Sequence, residues 1–278
     1  MSYKTIVVHV DGARNVDKRI EAAAYMAVAE NAHLIGVAAT GVSQFLQETV
    51  SMNRNDPAIA PLLDTLRKRA SAPLETFDKI VRQVGVPSFE NRLIDDEVNS
   101  GISLQGAYSD LIVLGQSSPG DASDLEADTV PYVVINSGCP VLVVPNTGAH
   151  TKIGSKVLIA WNGSMVARRA VHDAIPLLKR AEIVEVAVFN PTSKAGAHGQ
   201  LPGSDISLYL ARHGINVDVK ADTVKSDIGE AILSLADNLH ADLLVMGCYG
   251  HSRFRETLLG GVTHTILQSM TLPVLMSH

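Results

Sequence analysis

A glycine-rich loop between an apolar run and a helical pattern contains the residues that could do chemistry. It begins at Gly247, directly after the apolar run 242–246. Gly247 and Gly250 lack a Cβ atom, so the backbone can turn tightly or approach a ligand closely there. Gly260 and Gly261 open the next helical pattern with bare N–H groups, where the helix dipole favours an anion. A strand, a glycine-rich loop and a helix in this order predict a phosphate site.

The loop lacks the side chains that efficient phosphoryl transfer requires. No Gly-Lys-Ser/Thr follows it, so it is not a Walker A motif, and it contains no lysine. Arg253 and Arg255 could reach a phosphate or remain solvated surface charges. The sequence has no Gly-x-Ser-x-Gly elbow and no HExxH spacing among its ten histidines. A binding site is therefore favoured over a catalytic one, while slow hydrolysis of a bound nucleotide stays open.

The elements that would position the loop alternate between short apolar strands and helical patterns. Strands are predicted over 5–10, 33–39, 88–94, 110–114 and 140–144, and again over 156–161, 182–189, 215–221, 242–246 and 272–276. Helices are predicted over 17–31, 58–84, 97–108, 165–180, 205–213, 227–240 and 262–270, with an interruption or kink at Pro73. This alternation predicts parallel sheets with helices on both faces.

Three short motifs occur twice, one domain length apart. SDLIVLG at 109–115 matches ADLLVMG at 241–247, CPVLVVP at 139–145 matches LPVLMSH at 272–278, and HVDG at 9–12 matches AWNG at 160–163. A polar, glycine-containing stretch at 146–154 separates the two sets. We therefore predict two copies of one α/β domain, at 1–148 and 152–278.

With these motifs, the chain resembles the universal stress protein family in its tandem form. The family motif is Gly, two residues, Gly, nine residues, Gly, and then Ser or Thr; here it is Gly247, Gly250 and Gly260, followed by Gly261. The resemblance implies two tandem Rossmann-like (adenine nucleotide α-hydrolase-like) domains, each a five-stranded parallel sheet with helices on both faces. It also implies ATP or AMP as the ligand, and pairing of the last strands, 273–276 against 140–144.

The resemblance places a complete nucleotide site in the second half. Asn162 stands where the family has an aspartate near the ribose, and Val188 matches the position whose backbone meets the adenine edge. Trp161 could stack on adenine or pack against the domain partner. Gly261 removes one hydroxyl ligand, while Thr263 retains one, and Mg²⁺ could arrive with the phosphates. The implied site is Ala160, Trp161, Asn162, Val188, Met246, Gly247, Gly250, Arg253, Gly260, Gly261, Val262 and Thr263.

The first half lacks the phosphate loop. After Gly115 the sequence has no matching glycines, and Asp124, Glu126 and Asp128 place negative charge where phosphate would lie. Asp11, at the position of the ribose-side acid, is retained. The first half is therefore predicted to be a degenerate copy with a structural or regulatory role.

Composition excludes several classes of function. The net charge of −6 and the aromatic content of 4% argue against nucleic acid as a partner. No apolar run is long enough for a membrane span, no signal peptide is evident, and the two cysteines form no metal-like pair, which predicts a cytoplasmic protein. Cys248 could be a redox switch, although an inert buried thiol is the favoured interpretation.

Three functions follow from the sequence. The leading one is a stress-response protein that binds an adenine nucleotide in its second half and acts on a protein partner that the sequence does not identify. The alternatives are a slow ATPase at the same loop, or a scaffold that binds a non-nucleotide ligand or a protein in the first half, with residues 40–57 covering the site. Domain pairing within the chain is expected, and a homodimer is a further arrangement that the sequence allows.

Overall fold

The computed structural model describes residues 2–43, 59–117, 128–191, 201–250 and 261–278. The middle of the predicted phosphate loop, His251 to Gly260, lies outside these residues, as do Asp124, Glu126 and most of the irregular segment 40–57. The chain divides into two compact units, one formed by Tyr3–Cys139 and the other mainly by Pro140–His278.

The first unit contains four parallel strands in the order β3-β2-β1-β4. The strands are β1 (Thr5–His9), β2 (His33–Ala39), β3 (Phe89–Ile94) and β4 (Leu111–Gly115). The helices are α1 (Val16–Glu30), α2 (Ile59–Val84), α3 (Val98–Gly106) and α4 (Thr129–Asn136). Helix α1 packs on α2, and α3 packs on α4. Right-handed crossovers in this strand order place the two helix pairs on opposite faces of the sheet.

The second unit repeats this topology and extends it. Its strands are β5 (Val141–Val144), β6 (Lys156–Ala160), β7 (Ile183–Phe189), β8 (Asp218–Asp222), β9 (Leu243–Gly247) and β10 (Val274–Ser277). Its helices are α5 (Met165–Leu178), α6 (Ser204–Arg212), α7 (Ile228–Leu239) and α8 (Gly261–Ser269). The order β10-β9-β6-β7-β8 is parallel throughout, and β5 joins β10 antiparallel. The expected pairing of the two last strands is therefore present, with Leu275 opposite Leu142.

The predicted fold class is confirmed. Every predicted strand is present, and each end lies within three residues of the predicted bound. The domain boundary within 146–154 stays a prediction; the compact units divide before Pro140 because β5 pairs with β10.

Three local predictions differ from the structure. Helix α2 continues through Pro73 without interruption, because Leu74, Phe77 and Val81 bury its apolar face and compensate for the lost hydrogen bond. Helix α4 was not predicted, since its sequence TVPYVVIN is rich in β-branched residues. Strand β8 starts at Asp218 and not at Ile215, because the Ile215 N–H closes α6 by donating to the Leu210 carbonyl at 3.0 Å.

A buried-strand core is common to both units. Ile6, Val7 and Val8 on β1 have no accessible surface, as expected for a parallel strand that is covered on both faces. Helix α2 approaches β2 closely, because a Cβ on Gly36 would lie 2.8 Å from the Phe77 ring. No helix in the described parts of the chain is long and apolar enough to span a membrane.

One aspartate in the repeated motif ties the amino ends of two neighbouring strands together in each unit. Asp242 accepts hydrogen bonds from the N–H groups of Gly154, Ser155 and Lys156 at 2.9–3.1 Å. Its counterpart Asp110 accepts from Lys4 and Thr5 at 2.7 and 2.9 Å. The repeated Ser/Ala-Asp pair therefore sets the register of the first and fourth strands of each copy.

Replacing Asp242 by Ala should destabilise the second unit by about 2 kcal/mol, because three part-buried N–H groups lose a charged acceptor. Urea unfolding measures this loss. Asp237→Ala, at an exposed position on α7, is the matched control and should change the free energy of unfolding by less than about 0.5 kcal/mol. Equal effects for both variants would contradict the structural role of Asp242.

Candidate functional site

The carboxyl ends of β6 and β9 form a crevice in the second unit. Ala160 at the end of β6 is directly opposite Met246 on β9, and the Trp161 N–H donates to the Ala187 carbonyl on β7 at 2.9 Å. The chain leaves β6 towards β7 on one side, while β9 lies on the other, so the strand order reverses here. Such a switch point is where open α/β sheets bind ligands.

The turn after β6 directs the amino end of α5 towards this crevice. Asn162 is exposed, and its Oδ1 accepts a hydrogen bond from the Ser164 N–H at 3.1 Å. Gly163 has a φ of 70°, a conformation that favours glycine. Ser164 caps α5, because its Oγ accepts from the Ala167 N–H at 3.2 Å. Among the described residues, the Nδ2 of Asn162 has no hydrogen bond and can donate to a ligand.

The first glycines of the loop lie directly against the first turn of α5. A Cβ on Gly247 would stand 2.3 Å from the Ala167 nitrogen and 2.4 Å from the Val166 carbonyl carbon. A Cβ on Gly250 would stand 2.8 Å from the Val166 Cγ2 and 3.9 Å from the Ser164 Oγ. Gly247 is therefore required by the packing of strand against helix, independently of any ligand.

Two residues between these glycines define the local geometry. Tyr249 has a φ of 53°, which is uncommon for a residue other than glycine. Cys248 is buried, and its Sγ lies 3.4 Å from the Ser277 carbonyl oxygen. Burial raises the pKa of the Cys248 thiol well above its ordinary value, so the reactive thiolate is disfavoured. The structure thus supports an inert cysteine here and not a redox switch.

The remaining predicted residues fall into two groups. Gly261, Val262 and Thr263 form the first turn of α8, where Gly261 is exposed and Thr263 is buried. Val188 lies on β7, the strand beside β6, and directly follows Ala187, which is opposite Ala160. Arg253 and Gly260 lie outside the described residues. The structure therefore gathers Ala160, Trp161, Asn162, Met246, Gly247 and Gly250 at one crevice, with Val188 beside it.

A separate cavity of about 420 Å³ lies between β7, β8 and α7. Phe189, Val224 and Leu235 contribute apolar walls, and Lys220 and Glu230 contribute charge. No predicted site residue lines it.

The equivalent crevice of the first unit has the same turn but a different occupant. Asp11 Oδ1 accepts from the Ala13 N–H at 2.9 Å, which repeats the turn made by Asn162. The same oxygen also accepts from Nη2 of Arg19 at 2.6 Å, and His9 Nδ1 lies 3.5 Å from Asp11 Oδ2. A Cβ on Gly115 would lie 2.9 Å from the Arg19 Nη1. The guanidinium of Arg19 therefore fills the crevice between β1 and β4.

The electrostatics of this cluster follow from its burial. Burial lowers the pKa of His9 to about 4, an effect that the Asp11 charge opposes and the Arg19 charge supports. Burial alone would raise the pKa of Asp11, but Arg19, His9 and the Ala13 N–H outweigh it and hold that pKa well below its usual range. At neutral pH the cluster is therefore an Asp11–Arg19 ion pair beside a neutral histidine.

Sequence reasoning missed two contributions to these crevices. Ser164 and the backbone of Val166 and Ala167 shape the second; a Ser directly after Asn-Gly is a helix-start signal that could have identified the first of them. Arg19 has no such signal, because it contacts Asp11 eight residues away across a strand–helix connection.

Comparisons with known proteins show which proteins this chain is similar to. The model of the universal stress protein family matches residues 155–278. Universal stress protein Slr1230 of Synechocystis sp. is 28% identical over 138 residues, which is 49% of this chain and 46% of that protein, so the match spans under half the length of this relative.

Solved structures match over nearly the whole chain. A universal stress protein from Archaeoglobus fulgidus DSM 4304 gives a TM-score of 0.73 at 16% identity, over 98% of this chain and 95% of the other. A putative universal stress protein from Pseudomonas aeruginosa UCBPP-PA14 gives 0.59 at 17% identity, over 99% and 93%. At these identities the likeness concerns the fold.

Replacing Gly247 by Ala should destabilise the second unit by roughly 2–3 kcal/mol, because the new Cβ meets the backbone of α5, which cannot move aside as a flexible side chain could. Gly261→Ala is the control in the same unit, since nothing lies within 4 Å of its Cβ. Urea unfolding compares the two, and a Gly247→Ala chain as stable as the control would refute the contact.

Lowering the pH from 7.5 to 4.5 should destabilise the first unit through His9. The unfolded chain protonates His9 below about 6.5, whereas the folded chain does so only near 4, so protons favour unfolding across this window. The loss is roughly 2–3 kcal/mol, measured as the difference between the pH profiles of the native chain and His9→Asn. His240→Asn, at an exposed left-handed position that Asn adopts readily, controls for loss of a histidine. Parallel profiles for the native chain and His9→Asn would contradict the buried neutral state.

Proposed function

We propose that the chain is a universal stress protein, on the match of that family's model to residues 155–278, and that this half binds one adenine nucleotide, ATP or AMP, in the crevice between β6 and β9. The observation that carries the proposal is the contact of the loop glycines with the capped amino end of α5. Two bare glycines and a helix amino end make a local anion site in a chain whose net charge is −6.

Each part of the crevice has a place in this proposal. The Asn162 Nδ2 donates to a ribose hydroxyl, since its Oδ1 is already used in the turn. The backbone of Val188 at the end of β7 meets the adenine edge. The phosphates lie between Gly250 and Gly261. Arg253 and Gly260 are assigned to this phosphate site on the sequence motif alone. Thr263 is buried, so the exposed Gly261 is the better candidate for contact at the start of α8.

Binding is favoured over catalysis as the role of this site. Cys248 is held as a thiol, and Asn162 offers an amide where a general base would need a titratable group. Among the described residues no three His, Cys, Asp or Glu side chains gather to hold a metal ion, so Mg²⁺ would depend on the nucleotide phosphates. The chain would then act as a cytoplasmic stress-response protein whose nucleotide state controls a partner.

The slow-ATPase alternative shares this site and differs in its readout. Hydrolysis of labelled ATP that disappears in the Gly250→Asp variant described below would favour it, because a contaminating enzyme would not respond to that change. Turnover that persists in Gly250→Asp would assign the activity to a contaminant.

Gly250→Asp should weaken nucleotide binding, because the new carboxylate repels phosphate and its Cβ contacts the Val166 side chain. Calorimetry with ATP and AMP should give one site per native chain and at least about tenfold weaker binding, about 1.4 kcal/mol, in the variant.

Gly12→Asp is the matched control for this experiment. It makes the same change at an exposed turn of the first unit, with nothing within 4 Å of its Cβ, and should leave binding intact. Unchanged nucleotide affinity in Gly250→Asp, or an equal loss of affinity in both variants, would contradict a nucleotide site at this loop.

A further inference from the structure

We propose that Arg19 excludes nucleotide from the first half, so that the chain holds one nucleotide and not two. The kind of ligand rests on the function proposed above for the second half, whereas the exclusion rests on contacts within the first unit.

The first step is that the two crevices are equivalent in backbone geometry. Asp11 and Asn162 follow the first strand of their units, and each accepts from the N–H two residues ahead, at 2.9 and 3.1 Å. Gly115 and Gly247 end the strands that pair with β1 and β6. Asp110 and Asp242 tie the other ends of the same strands. The first half therefore has the framework of the site.

The second step is that the contents of the crevices differ. In the first unit the Arg19 guanidinium bonds to Asp11 at 2.6 Å and lies against Gly115, and only 5% of Arg19 is exposed. In the second unit Gly247 lies against the α5 backbone, and Asn162 is exposed. The side chain at the ribose position is therefore exposed in the second crevice, where it is Asn162. In the first crevice it is Asp11, which is paired with the buried Arg19.

The third step is energetic. A neutral ribose hydroxyl that displaced Arg19 would still donate to the Asp11 carboxylate, but it would lack the Coulomb attraction between the guanidinium and that carboxylate. It would also leave a buried guanidinium without its counterion, which is the costly way to break such a pair. The Nε of Arg19 has no partner in the described residues, so the guanidinium has no alternative acceptor already in place. An uncharged ligand therefore does not displace Arg19 from Asp11.

The decisive experiment removes the ion pair from the first crevice and gives it the asparagine found in the second. Asp11→Asn with Arg19→Ala removes both charges together, leaves no buried unpaired ion, and places Asn where the second half has Asn162. The probe is adenosine, because it carries no phosphate for Asp128 to repel. Calorimetry should give one adenosine per native chain and two per double-variant chain. Asp11→Asn alone, which retains the guanidinium, should still give one.

The outcomes separate this inference from the function of the second half. If the native chain binds no adenosine and the double variant binds one, the second-half site is refuted and exclusion by Arg19 is upheld. Two bound adenosine molecules in the native chain, or no increase in their number in the double variant, would overturn the exclusion. Adding Asn162→Ala to the double variant removes the proposed ribose donor of the second half and should leave one site, which places the new site in the first half.

A second measurement applies even if the double variant does not fold. Photolabelling of the native chain with 8-azido-ATP, followed by peptide mapping, should label only peptides after residue 155. Saturable label in peptides from residues 3–139 that adenosine competes away would overturn the exclusion.

Discussion

The contact between Gly247 and the first turn of α5 is the constraint on which the second-half site depends. With 2.3 Å between a Cβ at that position and the Ala167 nitrogen, only glycine lets strand β9 end beneath the helix. This approach places the capped amino end of α5 beside the crevice that the loop glycines border. The same residue thus serves the packing of the fold and the shape of the site, and its presence alone does not distinguish the two roles. Gly250, whose nearest neighbour is a flexible side chain, is the better reporter of a ligand.

The two halves illustrate how one framework supports different contents. Both units retain the aspartate that ties the amino ends of two strands and the turn that follows the first strand. These features stabilise the sheet whether or not a ligand is present. The crevices above them differ in a buried ion pair, because the guanidinium of Arg19 lies in the first crevice and pairs with Asp11. Negative charge in the following loop was the expected reason for a degenerate first half, and the structure adds a closer one.

The location of charge fits the proposal that this site binds a nucleotide without reacting with it. The described residues bring backbone N–H groups and the Asn162 amide to the second crevice, while the Cys248 thiol is buried against the Ser277 carbonyl. Backbone donors hold a phosphate in place without transferring a proton. His9 and Asp11, two charged or chargeable groups with strongly shifted pKa values, belong to the crevice of the other unit, which Arg19 fills.

Local pattern determined much of this protein before any tertiary contact was considered. Apolar runs identified most of the strands, although β3 (FENRLI) and β8 (DVKAD) are largely polar. The glycine spacing identified the loop, and the repeated Asp11 and Asn162 turns followed from Asp-Gly and Asn-Gly. Helix α4 needed the structure, because its β-branched sequence forms a helix only when Val130, Val133 and Val134 are buried. The Arg19–Asp11 pair and the approach of α5 to Gly247 needed it as well. Each joins residues through the packing of a helix on a sheet, and no sequence period encodes which atoms meet there.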